Sequence, residues 1–482
     1  MTTTQAVLGA SFAVYLVGIG GFIVLQNRPP SSTLAWMLAF VFLPGLGVLV
    51  YVVFGRGRKS FSRRSKLLKQ DLEKSAMPLL SSLLSREEDD IVRLEGRSET
   101  WRRLMTLVRR NSTSALTSRN VVAIQQDAAV FYPSLVADLR AAHRTIHLQY
   151  FIWAVDPFTD TLKELLIAKA RAGVDVRLLY DPIGSQASVG PRYLRAMRAA
   201  GVRMAPTSSW RQLHTLAYRN HRKITVVDGA IAYTGGMNIG QEHLDGGKGF
   251  TSWRDTQLRI VGDGALLLQA VFNVDWYNAV GEDLFVAMPA EHSLPPAPDG
   301  VAVQMLTSGP DSRWAAIRQL YGAMIVSAQR HVFVQSPFFL PDATIAEALR
   351  AAALSGVDVR VMISARPSGN PLPDWAGNTF IADIVASGVR VFLYEKGYLH
   401  AKTISVDSQV CSIGSANLDV RSFSINYELN AVLYDTRLAR QLEQDFERDL
   451  AECTEFDATR YAQRPLPMRL RDSLARVVSP LL

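Results

Sequence analysis

Two long apolar runs open the chain. Residues Ala6 to Leu25 carry no charged side chain, and neither do residues Ser31 to Phe54. At about 1.5 Å per helical residue, each run is long enough to cross a hydrocarbon core about 30 Å thick. The segment Gln26-Asn27-Arg28-Pro29-Pro30 between them predicts a tight turn, because proline fixes the backbone and blocks helix continuation. The pattern therefore predicts a transmembrane helical hairpin over residues 1–55.

Positive charge is distributed unevenly around this hairpin. The turn carries only Arg28, and no basic residue precedes Ala6, which disfavours a cleaved signal peptide. The basic residues that follow the second run are Arg56, Arg58, Lys59, Arg63, Arg64, Lys66 and Lys69. Because basic flanks stay on the cytoplasmic side, we expect both termini and the rest of the chain there. The segment 56–115 is predicted to be a basic juxtamembrane and helical linker, which acts either only as a stop-transfer signal or also to concentrate anionic lipid.

After residue 115 the pattern changes to short apolar runs of strand length that alternate with helical stretches, and it repeats. Ile146–Phe151 resembles Val332–Pro337, and a helical stretch follows each run. Each helical stretch then leads into a similar segment: Gly173-Val174-Asp175-Val176-Arg177 and Gly356-Val357-Asp358-Val359-Arg360. Alternating strands and helices predict an α/β domain twice, over residues 116–290 and 291–482. The proline-rich stretch Met288–Gly300 is the predicted linker between them.

Composition adds three constraints. A chain of 482 residues is too long for one core. A formal net charge of +8 favours an anionic partner, either nucleic acid or an acidic membrane surface. The two cysteines, Cys411 and Cys453, cannot build a disulfide framework and lack metal-ligand spacing, so we expect a reducing compartment.

One motif occurs at matching positions of the two repeats. Each copy has the form His-x-Lys-x4-Asp, followed by an Asn at the same distance. The copies comprise His221, Lys223, Asp228 and Asn238 in the first repeat and His400, Lys402, Asp407 and Asn417 in the second. Residues i and i+2 of a strand share a face, so each repeat presents an imidazole beside an ammonium. The small residues Gly235-Gly236 and Gly414-Ser415 are expected to let a phosphate approach the two asparagines.

This inventory suits displacement at a phosphodiester. Such a reaction needs a nucleophile, a proton donor for the leaving alcohol, and cations for the phosphoryl oxygens. A histidine titrating near pH 6.5 can serve neutral as nucleophile or protonated as acid. The sequence therefore predicts one site built from both repeats, with His221, Lys223, His400 and Lys402 as catalytic groups and Asn238 and Asn417 binding phosphate. We expect no metal or other cofactor.

The acidic residues have two interpretations. Asp228 and Asp407 complete the predicted catalytic set, but each precedes a predicted hairpin turn, so turn formation competes about evenly with orienting an imidazole. Glu242 and Glu428 follow the asparagines. They are predicted to contact the catalytic groups rather than the substrate, and for them too turn formation competes with orienting an imidazole.

At these residues the chain resembles the bacterial cardiolipin synthases of the phospholipase D superfamily. The resemblance covers nearly the whole chain, including the hairpin, and extends to Arg219–Lys223, Trp253-Arg254-Asp255-Thr256, Thr307–Asp311 and Asn417–Phe423. The chain departs from it at three positions, in two segments. His243 stands where relatives commonly carry Tyr, and Ser336-Pro337-Phe338-Phe339 replaces a usual Thr-Pro-Tyr-Phe.

The resemblance implies two tandem phospholipase D-like domains, each a mixed sheet flanked by helices, related by a pseudo-twofold axis. It implies that His221 attacks one phosphatidylglycerol to form a phosphatidyl-histidine while His400 protonates the departing glycerol. A second phosphatidylglycerol then completes cardiolipin. It also implies anionic phospholipid partners, no nucleic acid, and a multi-pass location in the bacterial cytoplasmic membrane. The sequence alone does not fix which histidine attacks.

Several alternatives stay open. A hydrolytic phospholipase D, a transferase with another alcohol acceptor, or a nuclease would use the same paired motif, although the hairpin disfavours a nuclease. Aromatic residues in Tyr150–Trp153 and Phe338–Leu340 either contact lipid or belong to the core. The C-terminal segment Met468–Leu482 alternates arginines with apolar residues, which is typical of a helix that lies on a membrane or docks on the protein.

Overall fold

The computed structural model describes residues 3–26, 30–51, 62–112, 114–185, 188–208, 218–247, 249–287, 300–367 and 369–479. The chain divides into two compact units. The first comprises Met1–Lys66 and Ser208–Tyr218, and the second comprises Leu67–Thr207 and Arg219–Leu482. Most of the predicted linker Met288–Gly300, and the basic residues at 56–59, lie outside the described residues.

The first unit contains a pair of apolar helices. These are α1 (Thr3–Val24) and α2 (Pro30–Phe42), followed by the short α3 (Leu46–Val50). Ile23, Phe40 and Tyr51 form its buried cluster, and the Tyr51 hydroxyl donates a hydrogen bond to Oε1 of Gln26 over 2.8 Å. The two apolar runs therefore pack together as a helical hairpin.

The second apolar run does not form the single helix expected over Ser31–Phe54. Its helix ends at Phe42, and Gly45 adopts a φ of +83° before α3 begins. Pro44 accounts for this break, because proline lacks an N–H and disfavours the helical conformation of the residue before it. Within the described part of the chain, no helix combines the length and apolar character needed to cross a membrane.

The second unit begins with α4 (Ser62–Glu95), most of which belongs to it, and α5 (Glu99–Ser112). Trp101, Leu104 and Val108 of α5 are buried in the core of the second repeat. The strand β1 (Leu116–Thr117) pairs with a strand of that same repeat. The domain boundary at residue 116 stays a prediction. The strand β1 lies at the start of the predicted first domain, but it pairs with the sheet of the second repeat.

The first repeat is built on a seven-stranded sheet. Its elements are β2 (Asn120–Gln126), α6 (Ala128–Ala141), β3 (Thr145–Tyr150), α7 (Pro157–Arg171), β4 (Asp175–Tyr180), α8 (Pro191–Ala199), β5 (Arg203–Pro206), β6 (Ile224–Val227), β7 (Ile231–Gly235), α9 (Glu242–Asp245), β8 (Trp253–Arg254), β9 (Thr256–Gly262) and α10 (Asp263–Val280). The strand order is β2-β9-β7-β6-β3-β4-β5.

The second repeat is built on a nine-stranded sheet. Its elements are β10 (Ala302–Ser308), α11 (Ala316–Ser327), β11 (His331–Gln335), β12 (Phe339–Leu340), α12 (Ala343–Leu354), β13 (Asp358–Ser364), α13 (Leu372–Val385), β14 (Arg390–Tyr394), β15 (Tyr398–Leu399), β16 (Thr403–Val406), β17 (Val410–Gly414), β18 (Leu418–Asp419), α14 (Val420–Ser424), β19 (Glu428–Tyr434), α15 (Thr436–Leu450), β20 (Cys453–Glu455), α16 (Ala458–Ala462) and α17 (Leu466–Val478). The strand order is β1-β10-β19-β17-β16-β11-β13-β14-β20.

The two sheets share one central pattern. The order β9-β7-β6-β3-β4-β5 in the first corresponds to β19-β17-β16-β11-β13-β14 in the second. In each, the last three strands are parallel and the others antiparallel. The predicted duplicated α/β architecture with mixed sheets is confirmed.

A shared apolar core joins the sheets. Ile224 and Leu258 of the first sheet belong to the same buried cluster as Ile413 and Leu429 of the second. Residues of α10 and α15 complete this cluster. Burial of so many apolar side chains between the repeats stabilises one arrangement of the two halves.

The C-terminal helix α17 docks on the protein through a buried carboxylate. Asp472 is fully buried and accepts hydrogen bonds from Arg471 over 2.6 Å and from Asn378 of α13 over 3.3 Å. The opposite stripe of α17 is exposed and apolar, and it comprises Leu466, Leu470, Leu474 and Val477. The predicted amphipathic character is present, with the polar anchor inward. Residues 480–482 lie outside the described part.

Candidate active site

The two motif copies lie at corresponding ends of β6 and β16. His221 and Lys223 precede β6, and His400 and Lys402 precede β16. The Nζ of Lys223 donates to the carbonyl oxygen of His221 over 2.7 Å, and Lys402 donates to that of His400 in the same way. Both lysines are almost completely buried. Each half therefore presents an imidazole and an ammonium together, as predicted.

Reciprocal backbone pairing brings the halves together at this point. The His221 N–H donates to the carbonyl oxygen of Tyr427 over 2.9 Å, and the His400 N–H donates to that of Arg254 over 2.7 Å. The strand β15, just before His400, also pairs in parallel with β8 of the first repeat. The backbone of each histidine is thus hydrogen-bonded to a segment of the other half. Because the contacts match, the two halves are related by an approximate twofold axis at this point.

His221 pairs with a carboxylate of the second repeat. Its Nδ1 lies 3.0 Å from Oε2 of Glu428 and 3.0 Å from the carbonyl oxygen of Ser415. Both neighbours accept, so Nδ1 carries the proton and the Nε2 lone pair is available. Burial lowers the pKa of His221, while Glu428 opposes this shift. The imidazole is therefore neutral near pH 7.

His400 pairs with a carboxylate of the first repeat. Its Nδ1 lies 2.7 Å from Oδ2 of Asp255, which is fully buried. Burial raises the pKa of Asp255, and the Lys402 ammonium opposes this shift. Burial also lowers the pKa of His400 well below its ordinary value. Both histidines are thus oriented through Nδ1, each by a carboxylate from the other half.

The two lysines and two carboxylates form a buried charge cluster. Burial lowers the pKa of Lys223 well below its ordinary value, although Glu428 opposes the shift. Burial lowers the pKa of Lys402 to about 8, against the effect of Asp255 and Glu428. Buried ammonium groups without full compensation attract anions, so the cluster is electrostatically suited to a phosphate.

The small residues beside the asparagines make room for these carboxylates. A Cβ at Gly236 would lie 2.1 Å from Oδ1 of Asp255. In the second half, the Ser415 hydroxyl donates to Oε2 of Glu428 over 2.5 Å. The carboxylates of the histidine pairs therefore account for the small side chains at both positions, and the approach of a phosphate to the asparagines stays a prediction.

The predicted phosphate ligands are buried in corresponding loops. Oδ1 of Asn238 accepts from the Ile152 N–H over 3.1 Å. Nδ2 of Asn417 donates to Oδ2 of Asp419 over 3.2 Å, and Oδ1 of Asn417 has no partner among the described residues. Both asparagines follow the strands next to the histidine strands. Their role in binding phosphate stays a prediction.

Asp228 and Asp407 lie at the far ends of β6 and β16. At about 3.3 Å per residue, each is about 17 Å along the strand from the motif lysine. The Asp228 carboxylate accepts from the backbone N–H groups of Arg144 and Thr145 over 2.7 and 2.8 Å. Asp407 accepts from Gln329, Arg330 and His331 in the same way, over 2.8 to 2.9 Å. These contacts support the turn interpretation for both residues, and a catalytic role for either stays a prediction.

Loss of either turn carboxylate should therefore reduce stability rather than catalysis. We expect Asp228→Ala or Asp407→Ala to lower the free energy of unfolding by about 1–3 kcal/mol, because several backbone N–H groups lose their acceptor. Turnover per folded molecule should stay within about threefold of the parent. Urea unfolding and steady-state rates check both values. Asp160→Ala, at an exposed helical position, is the matched control, and a large loss of turnover in a stable Asp228 variant would contradict the turn interpretation.

Glu242 does not correspond to Glu428. Glu242 lies on α9, and no described contact joins it to either catalytic histidine, whereas Glu428 starts β19. The strand register identifies the true counterpart: Gly235 pairs with Gln257 and Gly414 with Asn430, so Asp255 and Glu428 are equivalent. The motif spacing does not point to Asp255, since the segments after the two asparagines differ in length. Aligning the strands that follow would have found it.

Arginine and carboxylate pairs support the two segments that carry the site. Nη1 of Arg222 lies 2.8 Å from both carboxylate oxygens of Asp275. On the other side, Nε of Arg254 lies 2.9 Å from Oδ2 of Asp449. These buried bidentate pairs hold the residues directly after His221 and directly before Asp255.

Aromatic rings border the two histidines. The ring centroid of Phe151 lies 4.9 Å from that of His221, and the Trp253 ring lies 5.5 Å from that of His400. Tyr150 and Trp153 are buried in the core of the first repeat, so they are structural. In the second repeat, Phe338 and Phe339 line a cavity of about 850 Å³.

Family models match both repeats and the N-terminal region. The model described as cardiolipin synthase, PLD-like domain, matches residues 135–248 and 321–450. The model described as phospholipase D-nuclease N-terminal matches residues 14–56. The matched segments of the first model contain all of the histidine, lysine and asparagine residues of both motif copies.

Curated relatives are similar over the full length. The cardiolipin synthase of Oceanobacillus iheyensis is 35% identical over 100% of both chains. That of Geobacillus kaustophilus is 38% identical over 95% of this chain and 91% of the relative. The major cardiolipin synthase ClsA of Bacillus subtilis is 37% identical over 95% of each chain.

Among solved structures, the phosphatidylserine synthase of Haemophilus influenzae matches 79% of this chain and 100% of its own, with a TM-score of 0.60 and 15% identity. This likeness shows the shared fold. Together with the duplicated motif and the family match over both repeats, the full-length identity shows that the chain belongs to the cardiolipin synthase family of the phospholipase D superfamily.

Proposed function

We propose that the chain transfers the phosphatidyl group of one phosphatidylglycerol to another, giving cardiolipin and glycerol. The observation that carries this proposal is the reciprocal pairing of His221 with Glu428 and of His400 with Asp255. It gives two imidazoles with fixed tautomers in one site, one suited to attack and the other to proton transfer. The curated relatives named above are cardiolipin synthases.

In the first step, Nε2 of His221 attacks the phosphorus of the donor lipid. The bond between phosphorus and the glycerol oxygen breaks, and His400 gives its Nε2 proton to that oxygen. The products are a phosphatidyl-His221 intermediate and glycerol. Burial makes the His400 imidazolium a strong acid, which favours this transfer once the anionic phosphate stabilises the protonated form.

In the second step, the now neutral His400 takes the proton from a primary hydroxyl of the acceptor phosphatidylglycerol. That oxygen forms a bond to phosphorus, and the bond to His221 breaks. Cardiolipin leaves, and both histidines return to their starting protonation states. One pair of residues thus serves both directions of proton transfer. Lys223, Lys402 and the amide groups of Asn238 and Asn417 neutralise charge on the phosphoryl oxygens.

The pKa of Lys402 predicts the alkaline limit of the reaction. Burial lowers this pKa to about 8, so the ammonium is charged below that pH and neutral above it. Above about pH 8 we expect loss of the Lys402 charge to add a fall of about tenfold per pH unit to the decline in kcat/KM for phosphatidylglycerol that the lowered pKa of His400 already causes, because this ratio reports on the free enzyme. The value of kcat should persist to higher pH, since bound phosphate favours the charged lysine.

Profiles of both constants from about pH 6 to about pH 10 test this expectation. The control is Lys163→Met, which removes a half-buried lysine on α7 and should not move the alkaline limb. A kcat/KM that stays constant between pH 8 and pH 9 would contradict the proposed electrostatic role of Lys402.

The function itself is tested by product analysis. Purified protein is incubated with phosphatidylglycerol, with and without phosphatidylethanolamine, and both the lipid product and the released headgroup are identified. We expect cardiolipin and glycerol in equal amounts. Phosphatidic acid as the main product would indicate a hydrolytic phospholipase D. Degradation of DNA without action on lipid would overturn the proposal in favour of a nuclease.

We also propose that residues 1–55 form a transmembrane hairpin that holds the catalytic halves at the cytoplasmic face of the bacterial membrane. Two uncharged runs and the basic residues that follow them support this topology. The match of residues 14–56 to the N-terminal family model is consistent with it. The exposed apolar stripe of α17 would add contact with lipid.

Cysteine labelling tests the topology. In a variant with Cys411 and Cys453 replaced by serine, Asn27→Cys should react with an impermeant maleimide in intact cells. Ser60→Cys, on the other side of the second run, should react only after the membrane is opened. Labelling of Ser60→Cys but not Asn27→Cys in intact cells would reverse the orientation.

A further inference from the structure

A third histidine is buried beside the reacting pair. His243 lies on α9 and is 3% exposed. Its ring centroid lies 4.8 Å from the Trp253 ring and 6.3 Å from the ring of His400. Neither Nδ1 nor Nε2 of His243 has a hydrogen-bond partner among the residues that the structure describes.

Two unpartnered ring nitrogens are unusual in a buried imidazole. Buried polar atoms normally have partners, and those without one call for a functional explanation. The buried His147, by comparison, lies 3.1 Å from Gln269 through Nδ1 and stacks on Phe272, so the protein itself holds that ring. His243 has no such polar support. Beside the ring of His400, its two buried nitrogens therefore lack protein partners among the described residues.

The chemistry of His243 limits what that ligand group can be. Burial lowers the pKa of His243 to about 3, and the nearby His400 acts in the same direction. The ring is therefore neutral at physiological pH, with one N–H donor and one nitrogen acceptor. A neutral donor and acceptor pair suits a hydroxyl, which both donates and accepts. It is less suited than the lysines to a phosphate oxygen.

We infer that His243 recognises the second hydroxyl of the glycerol headgroup, next to the hydroxyl that His400 deprotonates. This inference rests on the proposed transfer reaction and adds a determinant of acceptor choice. Glycerol carries vicinal hydroxyls, so a group that binds one of them beside His400 places the other at the reacting centre. A simple alcohol or water lacks the second contact. By microscopic reversibility, the same contact holds the glycerol that leaves in the first step.

Acceptor competition tests this role. The donor is phosphatidyl-p-nitrophenol, whose leaving group has no second hydroxyl, and glycerol and 1-propanol are supplied together at equal concentration. The measured quantity is the ratio of phosphatidylglycerol to phosphatidylpropanol. Both products come from the same intermediate, so changes in the rate of its formation cancel. The parent protein should favour glycerol.

His243→Phe keeps the ring shape and removes both polar atoms. We expect it to lower the product ratio about tenfold, the size of one lost hydrogen bond in acceptor selection. His243→Gln, which restores a donor and an acceptor, should recover most of the preference. His143→Phe is the matched control, since the same substitution is made at an exposed histidine.

Three outcomes would overturn the inference. The first is a parent protein without preference for glycerol, and the second is a His243→Phe variant that keeps the parent product ratio. The third is loss of nitrophenolate release in both His243→Phe and His243→Leu although both fold, because formation of the intermediate from this donor involves no second hydroxyl. Failure of the parent to release nitrophenolate at all would instead contradict the proposed function.

Discussion

Replacing His221 with Ala is expected to lower the rate of cardiolipin formation by at least about 10⁴-fold, with the protein still folded. The reason is the loss of the only group proposed to bond to phosphorus. No covalent phosphatidyl intermediate should form with any donor, including one with a good leaving group. The measurement is stopped-flow release of nitrophenolate from phosphatidyl-p-nitrophenol, together with mass analysis of the protein for a phosphatidyl adduct.

His400→Ala should behave differently, and this contrast identifies the nucleophile. Its rate with phosphatidylglycerol should fall by about 10²- to 10⁴-fold, because glycerol needs a proton to leave. Nitrophenolate needs none, so His400→Ala should release about one equivalent in a burst and then stall as phosphatidyl-His221. A burst in His221→Ala and none in His400→Ala would reverse the roles that family resemblance assigns.

A control must separate loss of chemistry from loss of a buried ion pair. His331 and Glu443 provide one, because Nε2 of His331 lies 2.9 Å from Oε1 of Glu443 outside the catalytic cluster. Glu443 raises the pKa of His331, so this pair stabilises the fold at low pH and loses that contribution as pH rises through the folded pKa. His331→Ala should therefore lower stability at acidic pH while a full-sized burst remains.

The repeated motif made most of the architecture predictable, as well as the pairing of a histidine with a lysine in each half. A fixed spacing from histidine to asparagine in two repeats indicated one site from two halves, and alternating patterns indicated mixed α/β domains. The partners of the histidines were harder to predict, because Asp255 lies 145 residues from His400 and Glu428 lies 207 residues from His221. Local sequence carries no sign of which carboxylate crosses to which half. Only the paired strands show it.

The motif aspartates are the opposite case, because they lie inside the motif but contact turns. Asp228 and Asp407 lie within the motif, yet each adopts a positive φ of 53° and 54° at a turn. Aspartate tolerates this conformation and can accept from nearby backbone N–H groups, so the turn alone accounts for its presence there. Position within a motif is therefore weaker grounds for a catalytic role than the end of the strand at which the side chain lies.

The break in the second apolar run has a sign in the sequence, since Pro44 stands where the helix ends. The apolar character of the run alone predicts one continuous helix.

Glu428 and Asp255, the carboxylates that each half supplies to the histidine of the other, should affect the rate nearly as much as the histidines themselves. Glu428→Gln removes the negative charge beside Nδ1 of His221 and places there an amide that can donate to this nitrogen in competition with the Ser415 carbonyl, so the tautomer with its attacking lone pair on Nε2 loses stabilisation. We expect the rate of cardiolipin formation to fall by about 10²- to 10⁴-fold, the range seen when the orienting carboxylate of a catalytic histidine becomes an amide. Asp255→Asn should cause a loss of similar size with phosphatidylglycerol, since His400 would lose its orientation as acid and base.

The two variants should differ in the nitrophenolate burst from phosphatidyl-p-nitrophenol. Asp255→Asn should keep the nitrophenolate burst, because the first step then needs no acid, whereas Glu428→Gln should lose it. Asp228→Asn is the matched control, as the same change in an aspartate whose hydrogen bonds, among the described residues, come from backbone N–H groups. Equal bursts in Glu428→Gln and the parent would show that the carboxylate does not set the tautomer of His221. Loss of the burst in both Asp255→Asn and Glu428→Gln would indicate that the two pairs act as one coupled charge cluster, which the short separation between each imidazole and its carboxylate allows.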